Sequence, residues 1–257
     1  MKNLVFVISL AQDEARRENL KKQFLSYDKF EIIEAVNGNE IGTKNYFDII
    51  INSLDKHSQI LSPNEVGCTL SHIKAYEKFL QTQDATHCLI LEDDCLGNDE
   101  CIKKAFEIAS NLPQNSFFHC CGLHNKSAKK RIAVKKVQDG VFLVNKFFYD
   151  KVFATCAYIL DKPAAQKILQ THQNAITSAD NYEELLLKNG INLYYSRIFA
   201  HCDEVVLDSN IRDERSIRIK IQKKKIKGSI KSKNLWQKIQ KYYDKYIRCE
   251  TIMLDRG

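Results

Sequence analysis

Three consecutive acids, Glu92, Asp93 and Asp94, close the apolar run in HCLILEDDC (residues 87–95) and stand directly before a turn-like LGND. Carboxylates at this density repel one another and lose hydration if they fold inward, so they require water or a cation. If residues 86–91 form a strand of an open α/β sheet, the acids stand at its carboxyl end, where such sheets bind ligands. Hard oxygen donors suit Mg²⁺ or Mn²⁺, ions commonly completed by substrate phosphates rather than by a full protein cage. The chemistry indicated is handling of a phosphate-bearing substrate. The competing reading is a solvated turn.

Other residue pairs offer chemistry with a structural alternative beside it. Ser71 and His72, in GCTLSH, are adjacent on a helix pattern and so do not face each other, which argues against a hydroxyl–imidazole nucleophile. Asp180 and Glu183, in SADNYEELL, have the spacing of a capping box, and each is also a candidate general base. Arg16 and Arg17 open the first helix pattern, either as phosphate-binding groups or as solvated charges.

These residues need a frame. NLVFVISL (3–10) reads as a buried strand, EARRENLKKQFLSY (14–27) as a helix, and KFEIIEAV (29–36) as a second strand closed by NGN. A strand, helix, strand order favours a parallel sheet with covering helices. LSPNEVGCTLSHIKAYEKFLQT (61–82) is a helix opened by a Ser62/Glu65 capping box and by Pro63 at its first position. Val66, Leu70, Ile73 and Leu80 recur at helical spacing and should pack on the sheet, with Gly67 tolerated rather than favoured. THCLIL (86–91) is a strand and CIKKAFEIASNL (101–112) a helix, and FFHCC looks like a buried strand. Residues 131–148 alternate around Asp139-Gly140, a hairpin signal. FATCAYIL (153–160) is a strand, a helix begins at Ala164, a short helix covers 181–189, and INLYYSRIF (191–199) is a last strand.

At 257 residues, 44% of them hydrophobic, the chain can bury a sizeable core as one large domain or a domain plus an appendage. The opening MKNLVFVISLAQDEARR has a short apolar run and no small-residue cleavage site, so it reads as a strand rather than an export signal. No run approaches the roughly 20 apolar residues a membrane helix needs. Nine cysteines without a C-x-x-C pair indicate free, mostly buried thiols in a reducing cytoplasm rather than a disulfide framework or a zinc site. From Arg212 onward there are 15 basic and 5 acidic residues, leaving 24 and 27 for residues 1–211. The overall charge of +7 therefore belongs to the C-terminal segment.

VISLAQDEARRENL, EVGCTLSHIKAYEKFL (65–80), CLILEDD (88–94), TCAYILDKPAAQKIL (155–169) and SADNYEELL occur in an order and spacing that resembles glycosyltransferase family 25, the bacterial lipopolysaccharide and lipooligosaccharide galactosyltransferases. The resemblance covers roughly residues 3–215. It implies a GT-A-like α/β fold with a mostly parallel, Rossmann-type nucleotide-sugar-binding sheet, a nucleotide-sugar donor (usually UDP-galactose), a divalent ion and inversion at the anomeric carbon. By this resemblance Asp94, with Asp93 or Glu92, looks like the metal motif. Asp180 aligns with the acid expected as base, with Glu183 as the alternative. Arg16 or Arg17 would serve the donor, and Ser71 and His72 would line the donor pocket or brace the metal strand. His201 would be a third metal ligand, although a proline-rich segment usual at this point is missing. Arg212 or Arg215, in DSNIRDER, would contact diphosphate. UDP-glucose is the alternative donor.

The division expected is a catalytic domain over 1–211 and a basic segment over 212–257. Within the latter, residues 218–248 mix lysines with Leu235, Trp236, Ile239 and tyrosines, as in a basic amphipathic helix at an anionic membrane surface. That would suit a lipid-linked oligosaccharide acceptor and a cytoplasmic enzyme peripheral to the inner membrane. The competing reading is nucleic-acid binding through the tail, but residues 1–211 are net acidic and carry no nucleic-acid motif, so no nucleic-acid partner is expected.

Overall fold

Strand-forming runs at the centre of the sheet are apolar at nearly every position, the pattern of strands covered on both faces. The computed structural model describes residues 2–121, 131–201 and 250–253. The boundary at 211/212, Arg212, Arg215 and the helix expected over 218–248 lie outside the described residues. The strands are β1 (Lys2–Ser9), β2 (Glu31–Glu34), β3 (Ala85–Glu92), β4 (Cys95–Leu96), β5 (Ser116–Cys121), β6 (Arg131–Gln138), β7 (Val141–Val144), β8 (Ala157–Asp161), β9 (Asn192–His201) and β10 (Glu250–Met253). The helices are α1 (Glu14–Gln23), α2 (Thr43–His57), α3 (Pro63–Gln81), α4 (Asp99–Ser110) and α5 (Lys162–Asn174).

They assemble in the order β10-β6-β7-β9-β5-β8-β3-β1-β2, with β4 paired to β9. In the central six strands β2, β1, β3, β5 and β9 run in one direction, and β8 is inserted against them between β3 and β5. The β6–β7 hairpin and β10 extend the sheet by antiparallel pairing. The turn is the expected Asp139-Gly140, and Gly140 takes the left-handed φ of 69°.

Alternate side chains fill two layers. Phe6, Cys88, Ile90, Phe117, Tyr158 and Leu160 join Ala75, Tyr76 and Phe79 of α3 and Ile168 of α5 on one face. Val7, Leu89, Leu91, Phe118, Cys120 and Ile159 join Leu20 of α1 and Phe106 and Ala109 of α4 on the other. Fully burying each such side chain contributes about 1.5–3 kcal/mol, which fixes strand register more strongly than propensity does. Cys88, Cys95, Cys120 and Cys156 are buried thiols in no disulfide among the described residues.

Helix α3 opens as read, with Ser62 Oγ accepting from Glu65 N–H at 3.2 Å and Glu65 Oε2 accepting from Ser62 N–H at 2.9 Å. Its inward face differs from the expected aliphatic stripe. Leu70, Ile73 and Leu80 are half-buried, while Glu65, Thr69, His72, Tyr76 and Phe79 are buried. The reason is contact with a polar site rather than with the sheet alone.

Gly67 also corrects the sequence reading, because it is required here. A Cβ there would lie 2.6 Å from the Val36 carbonyl oxygen and 2.7 Å from the Gly38 nitrogen. Both neighbours are backbone and cannot swing away, so Gly67→Ala is expected to destabilise the protein by about 1–3 kcal/mol. Urea unfolding midpoints would check this, with Gly42→Ala, which meets nothing within 4 Å, as the control.

The sequence missed α2 and placed several boundaries too wide. Helix α2 has Gly42 at its N-cap and so no side-chain cap, and its Phe47 and Ile51 are exposed, so no single apolar face announces it. Helix α1 ends at Gln23 rather than 27 and is followed by a short 3₁₀ turn at Tyr27–Lys29. The short helix expected over 181–189 is a five-residue π-turn, Glu183–Leu187. Residues 250–253, inside the segment assigned to the tail, pair with β6.

Candidate active site

The acidic cluster stands where the sheet topology puts ligands. Glu92 is the last residue of β3, and Asp93 and Asp94 follow in the turn to β4. The two-residue β4 pairs antiparallel with the end of β9, Cys95 opposite His201 and Leu96 opposite Ala200. That pairing brings His201 Nε2 to 3.2 Å from Asp94 Oδ2. On the other flank, the register Leu91 opposite Ala157 sets Thr155 and Cys156 beside the acids. Glu92 N–H donates to the Cys156 carbonyl at 2.9 Å, and the Thr155 hydroxyl donates to Glu92 Oε1.

The three carboxylates occupy three different environments. Glu92 faces His72 Nε2 at 3.4 Å, while His72 Nδ1 lies 2.7 Å from the Tyr158 hydroxyl, which donates to Tyr76 at 2.9 Å. Burial would raise the Glu92 carboxyl, but His72, Thr155 and His201 outweigh it and hold it below the usual carboxylate range. Asp93 pairs with Arg16 Nη1 at 3.0 Å. Burial nevertheless pushes Asp93 up to about 6, against the Ser9 hydroxyl and the guanidinium, with Asp94 adding to the rise. Asp94 Oδ1 is buried and finds no hydrogen-bond partner among the described residues.

A divalent ion is implied by the sequence reading, and the donor set accommodates one. Asp94, Cys156 and His201 each offer a ligand atom, all within 4.8 Å of one another. An orphaned carboxylate oxygen beside an imidazole is the kind of vacancy a cation satisfies. Of the expected ligands, Asp94 and His201 come together, and Asp93 turns to Arg16.

Asp180 lies in the loop before the π-turn, bonded to the residue that precedes Thr155. Its Oδ2 accepts from the Ala154 N–H at 3.3 Å. The capping-box alternative for Asp180 and Glu183 is not what forms, because the N-cap position is Tyr182, with no side-chain capping bond. Ala154 is left-handed, φ 69°, a conformation costing on the order of 1–3 kcal/mol for a residue with a Cβ. Its carbonyl accepts from the Tyr182 hydroxyl at 2.5 Å and from His119 Nε2 at 3.1 Å. These bonds hold the strained residue and thereby aim Thr155 at Glu92. Glu183 is exposed.

The remaining expected residues separate by role. Arg17 donates to Ser9 Oγ at 2.9 Å and to the Leu10 and Ala11 carbonyls, which clamps the loop between β1 and α1. Ser71 Oγ accepts from Val36 N–H at 2.8 Å and donates to the Gly67 carbonyl at 2.7 Å, tying α3 to the end of β2. Ser71 and His72 thus have separate partners, as their adjacency on a helix requires. Thr155, Cys156, Tyr158 and His119 were missed as site residues. The antiparallel β8 brings Thr155 and Cys156 to the acids and Tyr158 to His72, His119 on β5 reaches the Ala154 carbonyl, and nothing in their local pattern signals it.

Two buried imidazoles yield a pH prediction. Burial lowers His119 to about 4 and His172 to about 3. Each stays neutral when folded while the unfolded chain takes up a proton near 6.5, so stability is lost as pH falls below 6.5. Asp93 acts oppositely, because its raised pKa makes the folded state bind the proton first as pH falls through about 6. The net expectation is a loss of about 3 kcal/mol between pH 7 and 4.5. Urea unfolding at both pH values would check it, and His172→Phe should flatten the slope.

Five co-directional central strands, carboxylates at the carboxyl end of β3 and an orphaned oxygen beside an imidazole define an α/β protein with a candidate ligand site at the end of its sheet. Residues 2–182 match the model of glycosyltransferase family 25 (LPS biosynthesis protein), and the chain belongs to that family. It is a glycosyltransferase with the GT-A-like α/β fold expected from the sequence. Among curated proteins none matches significantly. Solved structures similar to it include S. aureus TarS 1-349, at 12% identity and a TM-score of 0.44, covering 95% of this chain and 80% of that one. The inositol-1-phosphate CTP transferase from T. maritima is similar at 12% identity and a TM-score of 0.43, covering 84% and 95%. A197 from STIV is similar at 13% identity and a TM-score of 0.36, covering 77% and 83%.

Proposed function

We propose that this glycosyltransferase moves galactose from UDP-galactose, with inversion, to a sugar of a growing lipid-linked lipooligosaccharide, using Mn²⁺ or Mg²⁺. The observation that carries the reading is the convergence of Asp94 and His201, 3.2 Å apart, beside the Arg16–Asp93 pair. Family membership supplies the reaction class. UDP-glucose remains the alternative donor, since donor choice turns on groups around one hydroxyl.

In this reading Asp94 and His201 hold the ion, with Asp93 or Glu92 as further oxygen donors. When bound, the ion supplies Lewis-acid neutralisation of charge on the leaving UDP. Arg16 meets donor phosphate in this reading, at the cost of its bond to Asp93. Glu92, kept ionised by His72 and Thr155, maintains the negative potential that attracts the cation. The Asp180 carboxylate, oriented by Ala154 N–H, takes the proton from the acceptor hydroxyl as its oxygen bonds to the anomeric carbon. The bond from that carbon to the diphosphate oxygen breaks, and UDP leaves. Asp180 is preferred over Glu183 because its backbone bond fixes it, whereas Glu183 is exposed. Ser71 and His72 brace this wall.

No helix among the described residues is long and apolar enough to cross a membrane. A cytoplasmic enzyme at the inner membrane surface, held through residues 218–248, fits a lipid-linked acceptor, with Arg212 and Arg215 near the donor diphosphate and no nucleic-acid partner. Calorimetric titration with UDP, with and without Mn²⁺, followed by a comparison of UDP-galactose with UDP-glucose on a lipooligosaccharide acceptor, tests the reading. Absence of UDP binding under every condition would sink it.

A further inference from the structure

The site contains a donor that the oxygen-based reading does not use. Cys156 Sγ lies within 4.8 Å of both the Asp94 oxygen and the His201 nitrogen, and it is buried at the start of β8. Its position follows from two independent pairings. The Leu91–Ala157 register sets Cys156 beside the end of β3, and the Cys95–His201 register sets the imidazole from the opposite side. Asp94 Oδ1 is buried there without a hydrogen-bond partner among the described residues. Mn²⁺ and Mg²⁺ prefer oxygen donors, whereas carboxylate, imidazole and thiolate together are the ligand types of zinc.

We propose that Asp94, Cys156 and His201 form a zinc site, in which zinc takes the place that the donor reading gives to Mn²⁺ or Mg²⁺. Ligand bonds to zinc of about 2.0–2.3 Å put tetrahedral donors about 3.3–3.8 Å apart, so the three groups need only a small closure from their present separation. Three protein donors are the number used by catalytic zinc sites, with a fourth position left to an exogenous ligand. A diphosphate oxygen of the donor would take that position; this last clause alone rests on the donor reading above. Zinc binding deprotonates the Cys156 thiol and releases its proton to solvent.

A second cluster, Cys68, His72 and Glu92, offers the same ligand types. Its imidazole already spans Tyr158 and Glu92, and its carboxylate already takes the Thr155 hydroxyl. A ligand role for Glu92 there would compete with the Thr155 hydroxyl, so the Asp94 cluster is the one assigned.

The test is titration of the metal-free full-length protein with Co²⁺ in the absence of UDP, read by visible and near-ultraviolet absorption. The expected result is one equivalent with a tetrahedral spectrum and a thiolate-to-cobalt charge-transfer band. Cys156→Ala should abolish the band, and Cys68→Ala should leave it. Zn²⁺ should bleach the spectrum at stoichiometric amounts, whereas Mn²⁺ should fail even at about a hundredfold excess, in keeping with the divalent affinity order. Should Cys156→Ala fail to fold by circular dichroism, His201→Ala serves instead, with loss of the tetrahedral spectrum expected. Failure to bind Co²⁺, binding without the thiolate band, or a band that survives Cys156→Ala would overturn the proposal. UDP titration of the same samples separates the two readings. Mn²⁺-dependent UDP binding without a thiolate band leaves the donor reading standing alone, and a thiolate band without any UDP binding leaves the zinc site standing alone.

Discussion

Asp94→Ala is expected to abolish metal-dependent UDP binding and to lower the rate of sugar transfer by at least about 10³-fold, or roughly 4 kcal/mol of transition-state stabilisation. The size follows from position. Asp94 alone among the three acids combines an orphaned, buried oxygen with an imidazole at 3.2 Å, so no neighbour can replace it. Asp93 is committed to Arg16, and Glu92 to His72 and Thr155. Folding should survive, because losing the Asp94–His201 pair is offset by removing a buried carboxylate oxygen that is unsatisfied. Calorimetry with UDP and Mn²⁺ and a thermal melt of the same sample would check both halves. Retained metal-dependent binding in Asp94→Ala would move the ion elsewhere.

The second large effect is kinetic. Asp180→Asn is expected to reduce turnover by about 10²–10⁴-fold, the usual contribution of a positioned base, while leaving UDP binding nearly unchanged. Asparagine keeps an oxygen that can accept the Ala154 N–H, so the left-handed residue and the Thr155 contact it supports should persist. Loss of turnover with intact donor affinity therefore reports proton transfer rather than collapse of the loop. Partial recovery of the Asp180→Ala variant by added formate would strengthen the assignment. Unchanged turnover in Asp180→Asn would transfer the role to Glu183 or to another group. Equal loss of stability in the Asp94 and Asp180 variants would mark both carboxylates as structural.

What the sequence determined by itself was local in its physics. The Ser62/Glu65 capping box and the Asp139-Gly140 turn join residues three or fewer apart, and both formed as read. Apolar runs covered on both faces specified a sheet flanked by helices, and they placed Glu92, Asp93 and Asp94 at a strand end, as observed. Helix α2, with apolar residues left exposed and no side-chain cap, carried no such signal.

Tertiary structure decided everything that depends on which strand lies beside which. Insertion of β8 against β3 brought Thr155 and Cys156 to the acids across some 60 residues, and the brief β4–β9 pairing brought His201 across more than 100. It also separated three adjacent acids into three roles, because side chains that are neighbours in sequence at a strand end point toward different partners. Gly67 shows the same limit in reverse. A glycine that weakens a helix in isolation is there because the Val36 carbonyl and the Gly38 nitrogen approach too closely for a Cβ. Helical periodicity and capping act within about four residues, whereas register and close approach are fixed only by burial between distant segments.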